Sequence, residues 1–114
     1  MLFDLTDYTC YVKPGATDSR KSWRMLSEIV ESELNLDLKE KNLFLFCSKS
    51  RKCIKCLLWD NGYWILSKRL LQGTFSWPKD SKEAEKITIE ELKMLLKGAD
   101  VFRRIPEVKG KIIY

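Results

Sequence analysis

The sequence predicts a small α+β domain over residues 1–114, in which an antiparallel sheet of three to five strands carries two helices packed on it. Three observations lead there. Short apolar, β-compatible runs between Leu43 and Lys68 are punctuated by Ser48-Lys49-Ser50-Arg51 and by Asp60-Asn61-Gly62. One segment before those runs and one after them place apolar residues three and four apart. The composition, 45% hydrophobic and 32% charged in 114 residues, is that of a globular chain with one core and too little length for a second domain of ordinary size.

The first element is an alternating run, Cys10-Tyr11-Val12-Lys13, stopped by Pro14-Gly15 and expected as an edge strand entering a turn. Thr17, Asp18 and Ser19 then offer capping oxygens for an amphipathic helix over roughly residues 19–34, whose apolar face is Trp23, Leu26, Val30 and Leu34 with Ile29 beside them. Leu43 to Cys47 is a compact apolar run. Lys52–Trp59 and Tyr63–Lys68 should pair as a hairpin, because Asn61 and Gly62 tolerate the positive φ that a tight turn or a glycine bulge requires. Thr74-Phe75-Ser76-Trp77 reads as a shorter extended piece ended by Pro78, and Lys79 to Lys86 as an exposed loop. Thr88-Ile89-Glu90-Glu91 fits a capping box for a second helix over roughly residues 88–97, with Leu92, Leu95 and Leu96 as its apolar face and Gly98 closing it. The tail from Val101 to Tyr114 carries no assignable element.

Charge is unevenly distributed. Residues 1–42 hold six Lys/Arg against eight Asp/Glu, residues 79–114 nine against seven, and residues 43–78 six against one. The middle third therefore has a balance equal to the net +5 of the whole chain, the footprint expected of a surface that meets a polyanion. No apolar stretch approaches the ~18 residues that span a bilayer, and the start lacks the basic flank and apolar centre of a signal peptide. The expectation is a cytoplasmic protein, with no membrane partner and with its four cysteines reduced.

The residues that could carry chemistry are few. The absence of histidine removes the commonest general base, and Asp60 is the single acid in the basic block, so converging carboxylates for metal-ion catalysis are not expected. Cys53 and Cys56, with Cys10 and Cys47, are numerous enough for a tetrahedral zinc site. Residues three apart in a strand point to opposite faces, however, so neither metal nor cofactor is expected. At Pro14 to Ser22 a helix start could hold a phosphate beneath Arg20 and Lys21, or Thr17 or Asp18 could cap the amides and leave those cations to water. The aromatic residues of the block could be core, or could stack on bases or fill a partner's pocket.

In order and spacing, several pieces together resemble the TnpB-like second open reading frame product of the insertion sequence sixty-six elements. They are Gly15-Ala16-Thr17-Asp18-Ser19-Arg20-Lys21-Ser22, Leu43-Phe44-Leu45-Phe46, Ser48-Lys49-Ser50-Arg51, Lys55, Trp59-Asp60-Asn61-Gly62, Lys68-Arg69-Leu70, Gly73-Thr74-Phe75-Ser76-Trp77-Pro78, and Ile87-Thr88 leading to Leu92, Leu95, Leu96 and Gly98. The resemblance covers about residues 10–100. Cys47, Cys53 and Cys56 depart from that pattern, which has apolar or basic residues there, and the chain after Asp100 lacks the family's arginine- and tryptophan-rich ending. The resemblance implies a non-enzymatic accessory protein of DNA transposition, encoded beside a separate transposase and another small accessory protein. Joined to the charge pattern, it points to DNA of the element ends as partner, bound directly or bridged to the transposase. The contacts expected are Arg20, Lys21, Lys49, Arg51, Lys52, Lys55, Lys68 and Arg69, all to phosphates. The alternative is an adaptor that holds the transposase and never touches DNA.

Overall fold

The computed structural model describes residues 4–102, so the tail from Arg103 to Tyr114 lies outside the described residues. Five strands, β1 (Thr9–Ala16), β2 (Asn42–Cys47), β3 (Cys53–Trp59), β4 (Tyr63–Arg69) and β5 (Glu85–Ile87), form one sheet in the order β4-β3-β2-β1-β5. The fold is α+β, as expected, and three of the four strand pairings are antiparallel. The exception is β1 with β2, which run parallel, Cys10 facing Leu43 and Val12 facing Leu45. Parallel neighbours need a crossover, and the chain supplies it with helix α1 (Trp23–Glu28) continued by a π-helical turn (Ile29–Glu33).

The first helix is therefore shorter than its apolar spacing suggested. It begins at Trp23 instead of residue 19, and the Leu34 amide donates to the Ile29 carbonyl five residues back, which widens the last turn. The Pro14-Gly15 pair does not end β1 but bends it. Pairing with β2 lapses between Val12 and Ala16, where the proline has no amide to give and Gly15 adopts φ 79°. Nor is β1 an edge strand, because β5 pairs along its other side, Tyr11 facing Lys86. That strand corrects the exposed loop expected at Lys79–Lys86: it takes up the end of that segment. Thr74–Trp77, expected as an extended piece, joins no ladder. The Phe75 amide donates to the Arg51 carbonyl, and the Trp77 indole to the Lys13 carbonyl at 2.9 Å.

The remaining elements form where the local signals place them. Trp59 pairs with Tyr63 across the Asp60-Asn61-Gly62 turn, with Asn61 at φ 54°. Helix α2 (Ile89–Leu96) starts on a complete capping box, in which Thr88 Oγ1 accepts the Glu91 amide at 3.0 Å and Glu91 Oε1 accepts the Thr88 amide at 2.9 Å.

The two helices cover opposite faces of the sheet. Leu26, Ile29 and Val30 of the crossover pack with Leu38 on Phe44, Phe46 and Leu57. Leu92 and Leu95 of α2 pack with Phe75 and Phe102 on Cys10, Val12, Leu43, Leu45, Ile54 and Leu58. Every residue of β2 from Leu43 to Cys47 is buried, which is why that strand reads as an unbroken apolar run.

Candidate functional site

The topology has a consequence for the basic residues. Strands β1, β2 and β4 end, and β3 begins, at the same end of the sheet. Arg20 and Lys21 follow β1, Lys49, Arg51 and Lys52 form the β2–β3 turn, Lys55 lies two residues into β3, and Lys68 and Arg69 finish β4. All eight cations expected as phosphate contacts thus collect at one end.

Their surroundings divide them. Arg20 is held by Asp18, its Nε donating to Oδ1 at 3.1 Å and its Nη2 to Oδ2 at 2.8 Å. The Arg20 side chain and backbone bonds hold the Asp18 carboxyl far below the usual carboxylate range. Asp18 also accepts the Arg20 amide at 2.9 Å, so it closes a tight turn ahead of the helix and does not cap it. The N-cap position belongs to Ser22, whose side chain makes no capping bond, and Thr17 is buried with its hydroxyl unpaired among the described residues. A phosphate held beneath Arg20 at the start of α1 loses its basis, since the helix is under two turns long and Arg20 is already paired with Asp18.

Three lysines are anchored through their ammonium groups to backbone carbonyls: Lys52 to Gly73 at 3.0 Å, Lys55 to Lys21 at 3.5 Å, and Lys68 to Leu96 at 2.8 Å. The third bond spans from β4 to the last turn of α2, where the helix dipole and unpaired carbonyls favour a cation. It sets Lys68 on the α2 face, apart from Lys55 and Arg69, which alternation places on the α1 face. Lys49 and Arg51 are exposed in the turn, whose shape comes from Arg51 at φ 61° and from the Ser48 hydroxyl accepting the Cys53 amide at 3.2 Å. Ion pairs among the described residues join Lys13 with Asp80, Arg20 with Asp18, and Lys41 with Asp7, so of the eight cations only Arg20 is matched by a carboxylate there.

A second constellation escaped sequence reasoning. Trp23, the first residue of α1, stacks on Tyr63 at 4.9 Å between ring centroids and 20° between planes, and Trp59 meets Tyr63 edge-on at 4.9 Å. Arg24 lies over the Trp23 ring at 5.1 Å and Lys39 over the Trp59 ring at 4.7 Å. Trp59 and Tyr63 face each other across the hairpin on the α1 side, the side that also bears Lys55 and Arg69. No sequence signal joins Trp23 to residues forty positions on; only the crossover brings them together.

The cysteines behave as core. Cys10, Cys47 and Cys53 are buried, all four are free thiols, and Cys53 and Cys56 lie on opposite faces of β3. Burial pushes the Cys10 and Cys56 thiols up to about 12, and Cys47 to about 11. Among the described residues no group of three or more His, Cys, Asp or Glu could hold a metal ion, and no helix is long and apolar enough to cross a membrane.

Comparison with known proteins places these features in a lineage. An uncharacterized protein of Sinorhizobium fredii, y4hO, is 33% identical over 92 residues, 79% of this chain and 79% of that one. No solved structure matches the chain significantly. The model of the IS66 Orf2-like proteins matches residues 8–105, which takes in the whole sheet, both helices and all eight cations, and the chain belongs to that family.

Proposed function

We propose that this protein, an accessory protein of insertion-sequence transposition by its family, acts without catalysis by holding DNA of the element ends against the cationic end of its sheet. The observation that carries the reading is the convergence of four chain segments, each with lysine or arginine, on one end, where of the eight cations only Arg20 has a carboxylate partner among the described residues. Lys49, Arg51 and Arg69 are exposed there, and Lys21 and Lys55 adjoin them from the α1 face. Lys68 contributes through its charge while bonded to α2. Contacts of this kind go to phosphates. They give affinity with little sequence information and release counterions, so the transposase would supply the choice of site.

The test is a titration of labelled element-end duplex at several salt concentrations. Binding near ~50 mM salt should weaken steeply as salt rises, and Arg51→Gln and Arg69→Gln should each reduce the slope by about one. No binding near ~50 mM salt refutes the proposal. If the transposase is then still captured after nuclease treatment, the same surface serves as an adaptor for it instead.

A further inference from the structure

Trp23 is 42% exposed although it is a large aromatic ring already stacked on another, and it sits in an unusual neighbourhood. Its ring continues into Tyr63 and Trp59, and a guanidinium and an ammonium lie over the two outer members of the group. The group shares the α1 side of the sheet with Lys55 and Arg69, and Lys55 reaches Lys21 just before the helix. A strip therefore runs from stacked rings to unmatched cations along one face.

We propose that this strip binds unpaired nucleotides, a base taking the place of the Arg24 guanidinium over the Trp23 face that Tyr63 leaves open, while the displaced Arg24 joins Lys39, Lys55 and Arg69 in meeting the phosphates. The inference rests on the proposed DNA contact and specifies the form of the nucleic acid. A duplex keeps its base faces inside its own stack and can offer only phosphates and groove edges. A single strand exposes both a π-face and a phosphate at each nucleotide. Cations set over or beside aromatic rings match that alternation, whereas a purely electrostatic duplex surface has no use for the rings. The segment from Gly62 to Lys79, which supplies Tyr63 and Arg69 to the strip, has no acid. Base stacking on an aromatic side chain tolerates any sequence, which suits a protein whose other contacts are to phosphates.

The probes are oligothymidylate, which forms no duplex with itself, and a duplex of the element end. Oligothymidylate should bind, quench the tryptophan fluorescence and bind about tenfold more weakly to Trp23→Ala, with much of the loss restored in Trp23→Phe. Duplex affinity should change less than about twofold in the same variant, because that contact is carried by the cations. Circular dichroism and the urea midpoint of Trp23→Ala check that the half-exposed ring was not needed for folding, and Arg24→Gln gives a second variant outside the core. Duplex binding with no oligothymidylate binding overturns the inference and leaves the DNA reading standing, as does oligothymidylate binding that neither variant weakens. Failure of both probes removes the two together.

Discussion

Asp18 shows how one side chain sets the availability of a cation. Its carboxylate takes the Arg20 guanidinium through two bonds and also accepts the Arg20 amide, so the arginine is presented to solvent already neutralised. Asparagine at this position keeps an oxygen for the amide and loses the charge. Asp18→Asn should therefore preserve the turn, free Arg20 and raise duplex affinity about two- to fivefold at ~0.1 M salt, measured by fluorescence anisotropy. An unchanged affinity would remove Arg20 from the contact. The identities of the cations were legible in the sequence, but their partners were not. Lys52, Lys68 and Lys55 each reach a carbonyl 21, 28 and 34 residues away, a distance no local pattern reports.

At the level of elements, the features read correctly are those whose causes lie within a few residues. The Asp60-Asn61-Gly62 hairpin and the Thr88–Glu91 capping box each have all their determinants inside one turn. The capping box makes a direct prediction. Thr88→Ala should lower stability by about 1 kcal/mol, seen as a lower urea midpoint with an unchanged slope; an unmoved midpoint would mean that α2 is held by packing of Leu92 and Leu95 alone. The features misread are tertiary. Glu85-Lys86-Ile87 has two charges in three residues and forms a strand only because β1 offers an edge. Pro14-Gly15 signals a turn by composition, yet β2 takes up β1 again at Ala16 and makes it a bend, and a side chain on Gly15 would meet Asp80 Oδ1 at 2.6 Å. The ring group was illegible for the same reason: its members lie on two elements that meet only after the crossover folds.

In the whole molecule the sheet carries two cores, one on each face, and protonated thiols belong to the larger. An unfolded cysteine loses its proton near 9.0, whereas burial keeps Cys10 and Cys56 protonated to about 12 and Cys47 to about 11. The folded chain thus binds more protons through that window, so this contribution is intact below pH 9 and falls as pH rises toward 12. Urea midpoints under reducing conditions at rising pH should decline above pH 9, and Cys10→Val should decline less steeply; parallel curves would contradict the burial of that thiol. The same architecture fixes an order of assembly. The β3–β4 hairpin closes over three residues and can form within microseconds, on the order of 1–10 μs. The parallel pairing, β1 with β2, must wait for the crossover, and the other flank of β1 waits for Glu85–Ile87, the last of the five strands in chain order. A nascent chain halted before Glu85 would present a bare strand at Cys10–Val12, open to any other chain that could complete it.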